Sequence, residues 1–456
     1  MKLRKITALT LAAGMAVSMT ACGGGNEAAT TTAAPAAKEE TTTAAAGDAA
    51  ETEAPTAEAG GELSGELTVS VWDYDSNPSM SSMVDSYMEK NPGVTINVID
   101  TSADEYNNSL GISLSAAQPD PDVIFVKDMG SMLQMADKNQ ILCLDDFINK
   151  EGFDLGVYKG VAEELQYDGK TYGLPWRSDW YILYYNKDLF DAAGVEYPSN
   201  DMTWDEYYDL AAKMTSGEGS SKVYGTHHHT WEALTSAFAV QDGEHTVVAK
   251  DYSFYKPWYE KTLWLQDNGY MQSYANLKTA NIHYSSVFKN QQCAMMPIGT
   301  YFIATMIQSQ KDGETDFNWG IATIPHPEGK SGYTVGATTP LAISAYTDVP
   351  DLAWDFIKYA TSAEAAGLLA SYGSFPAVMT DEALNTISSI EGFPEGDSNK
   401  EALNYVNFVF DRPLDPDIEA VRVPLNEVHE MIMIGEYTID EGIEELNTRV
   451  GEIKGW

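Results

Sequence analysis

Between residues 66 and 126 the sequence changes hydrophobic period from one segment to the next, and that alternation restricts the fold more than any other feature. "ELTVSVW" (66–72) reads as a strand. After Pro78, the residues Met80, Met83, Val84, Tyr87 and Met88 recur at spacings of three and four, which predicts one apolar face of a helix. The proline at its start and "NPG" (91–93) at its end are helix punctuation. "VTINVID" (94–100) is the next strand, "DEYNNSLGISLSAAQ" (104–118) the next helix, and "DVIFV" (122–126) a short continuous apolar strand. A βαβαβ order implies the α/β class, with a parallel sheet and right-handed crossovers. The methionines on the first helix are read as core filling. Such sheets take ligands at the carboxyl ends of their strands. That rule singles out "WDYDS" (72–76) and "KDMG" (127–130), and within them Asp73, Tyr74, Asp75 and Asp128. Neither segment holds a glycine-rich phosphate loop, which argues against a nucleotide ligand.

Further along, "MTWDEYYDLAAKMT" (202–215) carries a capping box, Thr203 with Glu206 three residues on, and a buried stripe of Trp204, Tyr207, Ala211 and Met214. Other amphipathic helices are expected at 255–269, at 351–373 as one long helix ended by Gly373, and at 439–453.

The N-terminus has a different character. Lys2, Arg4 and Lys5 precede a short apolar run, Ile6 to Val17, and then small residues lead into Cys22. This is the order of a secretory signal peptide, too short to span a bilayer. Residues 23–65 are Ala, Thr, Glu, Gly and Pro with almost no bulky apolar side chain, so they cannot offset their ordering entropy and are expected to form a disordered acidic tether. Its root-mean-square reach would be roughly 35 to 40 Å.

Removing residues 1–65 from the 456 leaves roughly 390, more than one hydrophobic core usually serves, so two lobes are expected. With 27 basic and 68 acidic residues the formal charge is −41, which disfavours nucleic acid and anionic lipid surfaces as partners. Of 3 cysteines only Cys143 and Cys293 remain in the body, and they are read as two isolated thiols.

The segment 18–22 resembles a bacterial lipobox, whose cysteine becomes an acylated N-terminus; that resemblance makes Cys22 a membrane anchor on the extracellular face. "YGLPWRSDWYILYYNKDLFDAAGV" (172–195) resembles the crossover segment of the extracellular solute-binding proteins of ABC importers, the sugar-binding family that includes maltose-binding protein. "PDVIFV" (121–126), "TWDE" (203–206), "AMMPIGTYF" (294–302), "AWDFIKYATS" (353–362) and "YGSFPAV" (372–378) match in the family's order. The resemblance implies a two-lobe, type II periplasmic-binding-protein fold with hinge strands between the lobes and a ligand cleft. The chain would cross near Arg177 to Trp180, return near Gly336 and cross again near Phe375. One lobe would comprise 66–178 plus 336–375, the other 179–335 plus 376–456. A monomer working with two membrane permeases, without cofactor, is the expectation.

A sugar needs aromatic plates for its C–H faces and planar charged groups for its hydroxyls, and the chain has 10 Trp and 26 Tyr. The candidates at the first crossover are Trp176, Arg177 and Asp179, joined by Trp231 and Tyr301 from the second lobe and Phe375 at the third crossing. Arg177 could instead pair with Asp179. "THHHTW" (226–231) offers at most two metal ligands on one side if extended, whereas zinc takes three or four, so His227, His228 and His229 are read as a polar loop bordering the cleft. Two alternatives stay open. One is a surface-anchored glycoside hydrolase or lyase, although no motif selects the two carboxylates it needs. The other is the same fold holding an anionic or peptide ligand, the anion gripped by Arg177.

Overall fold

A computed structural model describes residues 63–456 apart from 75, 76, 103, 104 and 128. The signal, Cys22 and the tether as far as residue 62 lie outside the described residues, as do Asp75 and Asp128; Ser64 and Gly65, read as the end of the tether, instead open β1. The strands are β1 (Ser64–Trp72), β2 (Gly93–Thr101), β3 (Val123–Phe125), β4 (Gln166–Tyr167), β5 (Lys170–Thr171), β6 (Leu174–Asn186), β7 (Tyr224–Thr226), β8 (Cys293–Gly299), β9 (Trp319–Thr323), β10 (Tyr333–Ile343) and β11 (Asn407–Phe410).

The expected alternation is observed. β1 pairs in parallel with β2 from Ser64 against Gly93 to Trp72 against Thr101, and in parallel with β3, with the helices Pro78–Lys90 and Tyr106–Ser115 between them in sequence. Leu67, Val69 and Val71 in β1, and Met80, Met83, Val84 and Tyr87 on the first helix, are buried against one another. The sheet is mixed rather than wholly parallel, because β10 runs antiparallel to both β3 and β6.

β6 organises the remainder. Its first half pairs with β10 (Trp180 against Gly336, Arg177 against Thr339), and its second half, Tyr181 to Asn186, lies between β8 and β9. All 13 residues of β6 are buried except Arg177 and Asp179, which period-two alternation puts on the same side. The chain near Phe375 joins the same place: Ser178 donates its N–H to the Phe375 carbonyl at 3.0 Å, and Ala377 to that of Trp176 at 3.0 Å. Gly336 is required at this junction, since a Cβ there would sit 2.2 Å from the Asp179 carbonyl oxygen.

The capping box forms as read: Glu206 N–H donates to Thr203 Oγ1, the Glu206 carboxylate accepts from the Thr203 N–H, and Trp204, Tyr207, Ala211 and Met214 are buried. The single helix expected over 351–373 is instead two, Pro350–Ala360 and Ala363–Ser371. The break has a local cause. Ser362 turns extended and its hydroxyl accepts from the Ala365 N–H, restarting a helix as an N-cap. Cys143 and Cys293 are both free. Among the described residues no helix is long and apolar enough to cross a membrane.

Candidate functional site

The carboxyl ends of β3, β7, β8 and β11 deliver polar and aromatic residues to two cavities that share Arg412. Trp231 lies five residues past β7 and Tyr301 two past β8, and each is 40% exposed, unusual for rings of that size. Together with Tyr181, Glu232, Arg412, Arg422 and Asn426 they line a cavity of about 390 Å³. Beside it, Lys127 after β3, Thr338 on β10, and Asp411, Arg412 and Glu419 line a smaller one of about 60 Å³.

Both exposed rings are held from behind. Trp231 packs edge-on against His229 (centroids 4.7 Å apart) and Tyr284 (5.5 Å). The Tyr301 ring lies over Gly299, where a Cβ would come within 2.1 Å of it. Burial pushes the Tyr301 and Tyr181 hydroxyls well above their usual range, which keeps them protonated as donors. It likewise raises the Glu232 and Asp411 carboxyls.

The other expected residues are distributed unevenly. Trp176 is 1% exposed and packs edge-on against Phe125; Phe375, also 1% exposed, packs against Trp180. Neither ring presents a face to solvent in this conformation, so both stand apart from the exposed rings of the cavity. Period-two alternation turns Trp176 away from the side that carries Arg177 and Asp179. Those two take the local alternative: Arg177 Nε is 3.8 Å from Asp179 Oδ2, and Asp179 Oδ1 also accepts from Thr300 Oγ1 at 2.9 Å. Asp73 follows β1 with a left-handed φ of 50° and an exposed side chain; Tyr74 is half-buried, and its N–H donates to Asp100 Oδ1 at 3.0 Å.

The histidine run is not a polar loop. His227 and His228 are buried, and desolvation pushes His227 down to about 3 and His228 to about 4, so both are neutral core residues. His228 Nε2 is 2.9 Å from the Tyr207 hydroxyl. His229 alone approaches the site, behind Trp231, and no group of three metal-ligating side chains occurs among the described residues.

The sequence reading missed Tyr181, Glu232, Arg412, Arg422 and Asn426. "YVNFVFDR" (405–412) held a usable signal, because its alternating apolar residues precede the strand end that presents Arg412. A separate cavity of about 220 Å³ lies over the helices Trp204–Met214 and Lys256–Asp267. Its rings Trp204 and Tyr208 are covered (5% and 3% exposed), Lys261 is paired to Asp205 at 2.9 Å, and His326, three residues past β9, completes the lining.

Residues 74–367 match the family described as bacterial extracellular solute-binding protein. The chain belongs to that family. Among solved structures, this solute-binding protein is similar to a sugar transporter from Rhizobium etli in an open conformation: 38% identical, TM-score 0.82, covering 85% of this chain and 99% of that one. A lactose-binding protein of Rhizobium radiobacter is 27% identical over 177 residues, 38% of this chain and 41% of its own length, so the chain spans about two-fifths of that relative. The sugar-binding protein MalE of Xanthomonas citri, 19% identical with TM-score 0.69 over 86% of this chain and 98% of its own, shares the fold. The architecture is thus the α/β, two-lobe type II periplasmic-binding-protein fold.

Proposed function

We propose that this solute-binding protein captures a carbohydrate, an oligosaccharide, at the carboxyl ends of β3, β7, β8 and β11 and delivers it to the permeases of an ABC importer without cleaving it. Cys22 carries the lipid that holds the chain on the outer face of the bacterial membrane. The lobes are 66–178 plus 336–375 and 179–335 plus 376–456, closing about the junction of Ser178, Gly336 and Phe375.

The observation that carries the reading is the pair of half-exposed rings, Trp231 and Tyr301, flanking a 390 Å³ cavity whose remaining wall is hydrogen-bonding: Arg412, Glu232 and Asn426. Aromatic faces suit the C–H faces of a sugar and the polar groups suit its rim. The names of the Rhizobium etli and Rhizobium radiobacter relatives, a sugar transporter and a lactose-binding protein, support the same class.

A thermal-shift screen of the secreted body against mono- and oligosaccharides, amino acids, peptides and polyamines tests it. A ligand at a hundred times its Kd stabilises by about 2.7 kcal/mol. A rise in Tm confined to sugars is expected; a rise with a peptide or polyamine and none with any sugar would assign another solute class.

A further inference from the structure

The 390 Å³ cavity contains two opposite charges that do not meet. Arg412 follows β11, and no described residue lies within hydrogen-bond or ion-pair distance of its guanidinium. Glu232 leads into the helix Ala233–Val240; Ser236 Oγ donates to its backbone carbonyl at 3.5 Å, while carboxyl Oε1 is sealed from solvent without a partner. The two attract each other across the cavity but form no ion pair. Arg422 is already committed, holding Glu419 at 2.7 Å.

A carboxylate oxygen buried without a partner costs folding free energy. Such a cost persists where a ligand supplies the missing bond, which is the usual trade of stability against function. The charges around both cavities also balance, with Arg412, Arg422 and Lys127 against Glu232, Asp411 and Glu419. An anion drawn to Arg412 would face Glu232 in the same cavity, and a cation drawn to Glu232 would face Arg412. A hydroxyl both accepts and donates, so a pair of adjacent hydroxyls can take the arginine fork on its oxygens and give a hydrogen to the carboxylate.

We propose that Arg412 and Glu232 are the polar specificity determinants of this site, bridged by an uncharged vicinal diol of the ligand. This rests on the carbohydrate reading and narrows it to neutral sugars.

The test is calorimetry on the wild-type body with neutral disaccharides (maltose, lactose, cellobiose, trehalose) and with a matched disaccharide whose terminal unit is a uronate. Affinity of the neutral sugar at least tenfold above the uronate is expected. For that sugar, Arg412→Ala, Arg412→Lys and Glu232→Ala should each weaken binding tenfold or more, lysine failing because it lacks the planar fork. Glu232→Gln, which keeps an acceptor oxygen, should lose less than Glu232→Ala. Because neither group has a full set of partners in the ligand-free protein, Arg412→Ala and Glu232→Ala should melt no lower than wild type without sugar. A purely structural role would lower both melting points. Tighter uronate binding, unchanged affinity in both alanine variants, or a clear loss of ligand-free stability would overturn the assignment while leaving sugar capture intact. Failure of every sugar, neutral or acidic, to bind wild type would overturn the carbohydrate reading and this assignment with it.

Discussion

At the scale of single residues, the site depends on rings backed from behind, Trp231 edge-on against His229 and Tyr284, and Tyr301 over Gly299. Trp231→Ala removes one plate and should cost about 2 kcal/mol of binding, roughly thirtyfold in Kd, with little effect on ligand-free stability because the ring is 40% exposed. Gly299→Ala should displace Tyr301, since the new Cβ would lie 2.1 Å from its ring, and should weaken the same titration. The buried histidines give a pH signature. His227, His228 and His429 are held near 3, 4 and 3 by desolvation, below the value near 6.5 of the unfolded chain. The unfolded state therefore binds more protons between those limits, and their contribution, full above about pH 6.5, is lost as pH falls toward 4 and below. Glu232 and Asp411, whose carboxyls are raised, act in the opposite sense but are outnumbered. Urea unfolding at pH 7.5, 6.0 and 5.0 should give a falling midpoint; a flat profile would contradict the burial of the histidines. How much of the site could be read from sequence follows from the same physics. Large aromatics two to five residues past a strand end, Trp231 and Tyr301, reach the cavity, whereas Trp176 inside β6 alternates to the buried side. A sequence shows that a residue lies on a strand more readily than which of its faces is covered.

At the scale of elements, the legible parts were those with a strong period or a complete cap. The βαβαβ unit and the helix Trp204–Met214 with its Thr203–Glu206 box needed only local information. The break at Ser362 was illegible because Ala365, not Glu or Gln, stands three residues on and no reciprocal box marks the restart. β11 escaped notice because it has only 4 residues and acquires its identity by pairing with β10, more than 60 positions earlier; Arg412 was lost with it. Ser362→Ala should remove the cap of the second helix and cost about 1 kcal/mol in chemical denaturation. An unchanged midpoint would mean that packing of Leu369 and Ala370, not the cap, sets this boundary.

At the scale of the whole molecule, β6 and β10 are shared between the two sets of strands, and the chain near Phe375 is bonded to them at Ser178. On the proposed lobe division, three strand-like connections side by side would favour rigid-body closure with few residues absorbing the change. The N-terminal reading has its own test: Cys22→Ala should shift the protein from the membrane fraction to the medium, and retention in the membrane would contradict the lipid anchor. The central claim, that Trp231 and Tyr301 form the plates of a sugar site, is tested most directly by titrating intrinsic tryptophan fluorescence of wild type and Trp231→Ala with the neutral disaccharide that raises the melting point most. A saturable change in wild type, absent or shifted at least tenfold in Trp231→Ala, is the expected result. An identical titration in both proteins would place the sugar elsewhere and contradict the account.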